Sequence, residues 1–203
     1  QLQTWLATKY EGSADNKTLP ITLRNDVKWS DGQAFTAKDV AYTFKLFKTT
    51  DGLQGPGGQA MNGTTAYVDT VAAPSDTSVV FNFKQVFTPG LYDIVAQDIV
   101  PEHIWKDIKD PVKSTNENPV GTGPFTEIKQ FENQIFEVDK NPNYWQPGKP
   151  YFQGRRPPAD TGNDPANLAK AHGESDTADT FPPAVETHFV AHDHPNNAAW
   201  GTC

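Results

Sequence analysis

The chain has 203 residues, with 17 Lys and Arg against 25 Asp and Glu, for a formal net charge of −8. That balance argues against nucleic acid as the main partner, because phosphate binding needs a basic face, and it brings no attraction to anionic membranes. No apolar run approaches the ~18 residues of a membrane-spanning helix, and the single cysteine, Cys203, excludes an internal disulfide framework and any cysteine-based zinc site.

The opening Gln1-Leu2-Gln3-Thr4-Trp5 has neither the basic-then-apolar pattern of a signal peptide nor a lipid-attachment motif, and it lacks an initiator Met. A mature, trimmed or incomplete chain is the plain expectation. Thr18 to Arg24 alternates as a strand, with Leu19, Ile21 and Leu23 on one face, and Pro20 assigns it to an edge or a strand start. Ser30-Asp31-Gly32 is a turn signal. Thr36 reads as a helix N-cap with Asp39 three residues on, a variant of the capping box. Val40, Phe44 and Phe47 then fall on one helical face, and the helix should fade at Thr49-Thr50-Asp51-Gly52.

Residues 52–65 are rich in glycine and read as a loop. Tyr67 to Ala73 and Ser78 to Phe83 read as a hairpin around a four-residue turn, Pro74-Ser75-Asp76-Thr77. Leu91 to Ala96 is a short helix, and Val100 to Ile108 another, with Pro101 in the first turn where its missing N–H costs little. Asp110 to Asn118 is a polar linker. Phe125 to Phe131 and Gln134 to Asp139 suggest a second hairpin. The fold class is therefore mixed α and β, an α+β arrangement in one large domain or two small ones.

The last quarter differs. Residues 1–150 hold 26 Ile, Leu and Val, whereas 151–203 hold three, Leu168, Val185 and Val190. Each such side chain contributes roughly 1.5–3 kcal/mol when fully buried, so this tail cannot build a core of its own. It carries four of the five histidines and seven acidic residues against three cationic ones.

Candidate chemistry is sparse. His188 and His192 stand four apart, with His194 beside them, which on a helix would turn two rings to one side. A zinc hydrolase also needs a Glu in register and a third ligand; Glu186 is out of register and Pro195 limits a helix, so surface histidines and no metal site are expected. Asp31, Asp39, Glu127, Glu132, Glu137 and Asp139 are formally eligible as a glycosidase pair, which requires two facing carboxylates about 5–10 Å apart. Gly121-Thr122-Gly123 resembles part of a phosphate loop but lacks the following Gly-Lys; the plainer reading is a backbone crossing where side chains would clash. Trp5, Trp29, Trp105, Trp145 and Trp200 could stack on sugars or peptides, but core anchors are the expected role for most. Ser30, Ser114 and Cys203 lack the context of a nucleophile, so no catalytic residue and no cofactor are assigned.

Two stretches carry a family resemblance. Ile21-Thr22-Leu23-Arg24-Asn25-Asp26-Val27-Lys28-Trp29-Ser30-Asp31-Gly32, continued by Thr36-Ala37-Lys38-Asp39-Val40, resembles the signature of the family 5 extracellular solute-binding proteins, the peptide and oligosaccharide receptors of ABC importers. Asn118-Pro119-Val120-Gly121-Thr122-Gly123-Pro124-Phe125 and Asn141-Pro142-Asn143-Tyr144-Trp145 are similar to two further segments of that family, as is Ile99-Val100-Pro101-Glu102-His103-Ile104-Trp105 between them. His103 is expected to be a packing residue. A weaker third stretch, Asn163 to Ala169 with Gly173-Glu174-Ser175-Asp176, is more polar than the family pattern.

The resemblance implies part of a two-lobed periplasmic-binding-protein fold of type II with an extra inserted domain. Residues 1 to 118 would match the smaller inserted domain of lobe one, and 119 to 203 the chain returning into lobe one, with Gly121 and Gly123 at the crossing. The first strands of lobe one would precede Gln1, and the second lobe would follow Cys203. It further implies an extracytoplasmic receptor, in the periplasm or anchored as a lipoprotein from an upstream segment. Such a receptor would act as a monomer, binding oligopeptides or, alternatively, cello- or xylo-oligosaccharides, and delivering them to a membrane permease. No ligand-binding residue is carried over. A hydrolase built on His188, His192 and His194 or on paired carboxylates is the alternative of another class.

Overall fold

The structure is a computed structural model that describes residues 2–53, 55–87, 89–132, 135–155 and 191–192. Its centre is an antiparallel four-stranded sheet of β2 (Ala7–Tyr10), β3 (Thr18–Leu23), β4 (Val68–Ser75) and β5 (Ser78–Phe83), in the order β2-β3-β5-β4. The period-2 pattern sets its register: Leu19 pairs with Phe81 and Ile21 with Val79, and all four side chains are buried. Pro20 does not put β3 at an edge, since β2 and β5 flank it. It is tolerated because the β2 ladder ends at the Tyr10–Ile21 pair. Beyond that point Glu11 N–H still reaches back to the Pro20 carbonyl, at 3.2 Å, and the donor that proline lacks falls where the ladder stops.

Helix α1 (Ala37–Thr49) lies across this sheet. Its start is the capping box the sequence predicts: the Thr36 backbone N–H donates to Asp39 Oδ2 at 2.8 Å, and the Thr36 hydroxyl accepts from the helix backbone. Val40, Phe44 and Phe47 are buried beneath it, and Phe44 meets Phe81 edge to face with ring centroids 4.9 Å apart.

The glycine-rich stretch is not all loop. Pro56–Met61 forms a short helix, α2. Its own sequence, Pro-Gly-Gly-Gln-Ala-Met, has little helical preference, so tertiary contacts decide. The buried Gln97 carboxamide accepts the Gly57 N–H at 2.8 Å, and a Cβ on Gly57 would stand 2.7 Å from the Phe47 ring. The β4–β5 turn is also tighter than expected: Ser75 pairs with Ser78 across Asp76 and Thr77 alone, and an irregularity between Ala72 and Ser75 takes up the difference.

Helix α3 (Gly90–Val95) agrees with the predicted element to within a residue. Helix α4 (Glu102–Trp105) is shorter than the predicted 100–108 and follows Pro101 as its cap residue. Residues 110–118 hold no helix or strand, as expected of a linker. The second hairpin is present as β6 (Phe125–Glu132) and β7 (Ile135–Lys140), joined by β8 (Gly154–Arg155). Strand β9 (Ala191–His192) pairs with β1 (Leu2–Gln3). Extended backbone at His192 does not support a helical His188–His192 pair; His188 and His194 lie outside the described residues. No helix among the described residues is long and apolar enough to cross a membrane.

Candidate functional site

Three segments far apart in sequence meet at one place. The first is the tip of a tight loop. Lys28 bridges to Ala34, Trp29 N–H donates to the Gln33 carbonyl at 2.8 Å, and Gly32 N–H donates to the Trp29 carbonyl at 2.9 Å. Gly32 adopts φ +90°, which explains a glycine at that step. Trp29 is fully buried and packs edge to face on Phe35, anchoring the loop in the core while Ser30 and Asp31 remain at its tip.

The second segment docks on that tip. Ser30 N–H donates to the Gly121 carbonyl at 2.9 Å, and Gly121 N–H donates to Ser30 Oγ at 3.3 Å. Gly121, Thr122 and Gly123 are all buried. The Gly121 N–H is thus spent on Ser30, so the arrangement is a backbone crossing and does not present that donor to a phosphate.

Asn141 and Asn143 bring in the third segment. Asn141, with no exposed surface, donates from Nδ2 to the Gly123 carbonyl at 2.8 Å and accepts the Asn143 N–H at 2.9 Å, while its own N–H reaches the Pro124 carbonyl at 2.8 Å. Asn143 Nδ2 then donates to the Ser30 carbonyl at 2.9 Å, closing the ring of contacts. Two residues beyond Asn143, the Trp145 ring lies edge to face with Trp5 at 4.9 Å, and the Arg24 guanidinium sits 4.3 Å from its centroid. Arg24 is held by a two-pronged ion pair with Asp26, at 2.9 and 2.7 Å, which lowers the Asp26 pKa and raises that of Arg24.

Helix α4 is tied to the same loop. His103 Nε2 lies 2.7 Å from Asp31 Oδ2, and the Glu102 N–H donates to Asp39 Oδ1 at 3.0 Å. His103 is therefore not a plain packing residue: it is a partly exposed polar clasp between elements 72 residues apart. The sequence carries no local sign of that pairing.

Three of the candidate carboxylates are engaged in structural contacts. Asp39 is the helix cap, Asp31 faces His103, and Asp139 lies 3.5 Å from Lys129, so each of these carboxylates has a structural partner. The side chains of Glu127 and Glu132 lie outside the described ones. Among the described residues no group of three or more His, Cys, Asp or Glu could hold a metal. Trp29 is a core anchor, while Trp5 and Trp145 are partly buried and pack against the core; Trp200 lies outside the described residues. An open groove of about 410 Å³ runs between α1 and β4, with Lys38, Tyr42, Lys45 and Lys48 on one wall. Burial, with Glu102 and Asp107 nearby, raises the Tyr42 pKa there. The geometry is that of a polar junction, built from backbone groups, amides and one histidine–carboxylate contact.

The model of the bacterial extracellular solute-binding proteins, family 5 Middle, matches residues 1–196. A protein of Brucella ovis, named for ABC-transporter peptide binding, is 31% identical over 144 residues, covering 68% of this chain and 26% of its own length. Among solved structures, the ABC-transporter substrate-binding protein CtaP of Listeria monocytogenes superposes with a TM-score of 0.75 at 27% identity, over 84% of this chain and 34% of that one. A periplasmic oligopeptide-binding protein of Thermotoga maritima gives 0.72 at 26% identity, over 84% and 32%, and has also been solved with mannohexaose bound. The chain spans about a quarter of the length of the curated relative and about a third of the solved chains.

Proposed function

The chain belongs to the bacterial extracellular solute-binding proteins of family 5, and from that premise we propose that it is a section of an ABC-importer receptor for oligopeptides. The family is named for solute binding, and the solved neighbours for substrate and oligopeptide binding. The observation that carries the reading is the convergence of the three family-like segments on one junction, from Ser30 through Gly121 to Asn141 and Asn143. The peptide ligand is supported by the name of the Brucella ovis relative and by that of the Thermotoga maritima structure.

In this reading residues 1–118 are the smaller domain inserted in lobe one, and 119–203 return into lobe one. One feature favouring the division is that every buried apolar residue of the main core lies between Leu6 and Ile99. Ligand held between two lobes stabilises the closed form over the open one, and a membrane permease reads the closed form. The receptor works outside the cytoplasm, free in the periplasm or held by a lipid anchor. It acts as a monomer, with the solute rather than a cofactor as its ligand.

Oligosaccharide is the second reading, favoured by the mannohexaose-bound relative. Calorimetry on the natural gene product separates the two, titrating short peptides against cello-, xylo- and manno-oligosaccharides. Heat from peptides alone supports the first reading, heat from sugars alone the second. Heat from neither, in protein that melts cooperatively, overturns both.

A further inference from the structure

We propose that Asn62-Gly63 is a site of spontaneous covalent modification in the folded protein, where the asparagine converts to aspartate and isoaspartate through a cyclic imide. It is the one Asn-Gly pair in the chain. In the first step the Gly63 backbone nitrogen attacks Asn62 Cγ. A new N–C bond closes a five-membered ring, the Cγ–Nδ2 bond breaks, and Nδ2 leaves as ammonia with the proton from Gly63. Water then adds to one of the two imide carbonyls. Opening at the side-chain carbonyl gives aspartate; opening at the main-chain carbonyl gives isoaspartate, with an extra methylene in the backbone. The only co-reactant is water, and base assists because the attacking amide must lose its proton.

The local structure favours this step in three ways. Asn62 caps the C-terminus of α2, and the Gly63 N–H points at Asn62 Oδ1 from 2.8 Å, so the attacking nitrogen already lies against the amide it attacks. Gly63 is exposed at φ +78°, and nothing lies within 4 Å of where a side chain would be, so no side chain crowds the attacking nitrogen. The departing Nδ2 is held only at long range, 3.4 Å from the Phe47 carbonyl and 3.5 Å from Asp51 Oδ1.

Four other asparagines provide internal controls. Asn118 and Asn141 precede prolines, which have no N–H to attack with. Asn143 holds its amide against the Ser30 carbonyl at 2.9 Å. Asn16 is followed by Lys17, whose N–H is engaged by Asp15 at 3.1 Å. Conversion at Asn62 would also matter structurally. A carboxylate would replace a donor facing the Phe47 carbonyl and Asp51, placing like charges where α1 ends and α2 ends.

The test is incubation of the whole folded chain in mildly alkaline and in mildly acidic buffer over weeks, with peptide mapping by mass spectrometry. In the alkaline sample the peptide holding Asn62 should gain about one mass unit, split into two chromatographic forms, and accept a methyl group from an isoaspartyl methyltransferase. Its rate should exceed that at Asn16 by roughly tenfold, because asparagine is thermolabile and at Asn62 the following N–H is turned on the side-chain amide, whereas at Asn16 it is held by Asp15. Asn62→Gln keeps the amide but requires a six-membered ring, so it should remove the acidic drift while the protein stays folded. A rate at Asn62 no higher than at Asn16, or rapid conversion confined to chain unfolded in urea, overturns the proposal.

Discussion

The sheet-and-helix body and the Gly121–Asn141 junction are both buried, yet they are held by different forces. In the body, Ile21, Phe44, Val79 and Phe81 meet as apolar surfaces with almost no exposure. At the junction, Ser30, Gly121, Gly123, Asn141 and Asn143 meet through directed hydrogen bonds. Apolar burial is non-directional and tolerates small shifts, whereas a buried donor without its acceptor loses its full desolvation cost. The body therefore supplies most of the stability, and the junction supplies register, fixing how one stretch of chain crosses another.

Truncation should expose that difference most strongly in the body. Phe44→Ala removes a fully buried ring packed on Phe81 and should cost about 3–5 kcal/mol, read as a fall in the urea midpoint. At the junction Asn141→Ala removes the donor to the buried Gly123 carbonyl and the acceptor for the half-buried Asn143 N–H, leaving both unpaired, at about 2–3 kcal/mol. Asn141→Asp sharpens the point, since it keeps the volume and the acceptor but loses the donor. A cost for Asn141→Ala above that of Phe44→Ala would break the contrast and make the junction the main source of stability.

How far this was legible in the sequence follows the same line. The body is written in local code: alternation at Leu19, Ile21 and Leu23, helical spacing at Val40, Phe44 and Phe47, and a capping box at Thr36 and Asp39. Each signal lies within a few residues of the element it specifies. Where the cause is remote, the sequence is silent. Helix α2 depends on Gln97, forty residues downstream of Gly57, and its own glycines argue for a loop. His103 finds Asp31 across 72 residues, and no pattern near either marks the contact. Pro20 reads as an edge signal because the end of the β2 ladder is a matter of tertiary register. The junction is legible in part: resemblance marks its three segments as family motifs, but neither their meeting nor the hydrogen bonds that make Asn141 its centre.

A smaller effect tests the local code itself. Thr36→Ala removes the hydroxyl that accepts from the first turn of α1 and should cost about 1 kcal/mol. The Thr36 N–H to Asp39 contact uses backbone and survives the change, so the helix start should stay in place by amide hydrogen exchange. Loss of the whole helix in Thr36→Ala would mean the cap is no local device and that α1 relies on it as the body relies on Phe44.

The smallest effect sits between the two regions. Arg24 directly follows β3, its guanidinium lies over Trp145, and its ion pair with Asp26 lowers the Asp26 pKa chiefly through their hydrogen bonds. A carboxylate whose folded pKa is depressed contributes stability that is present above its unfolded value, near 3.9, and is lost as pH falls through the folded value. Solvent reaches both partners, with 30% and 53% of their side-chain surface exposed, so the pair is worth no more than about 1 kcal/mol. Asp26→Asn should therefore lower the melting temperature slightly at neutral pH, and its difference from the parent chain should shrink progressively as the pH falls below about 3.9. Salt should shrink the same difference. If the difference persists in acid, the Asp26 contribution comes from packing and not from charge, and Arg24 stays on Trp145 without its counter-ion.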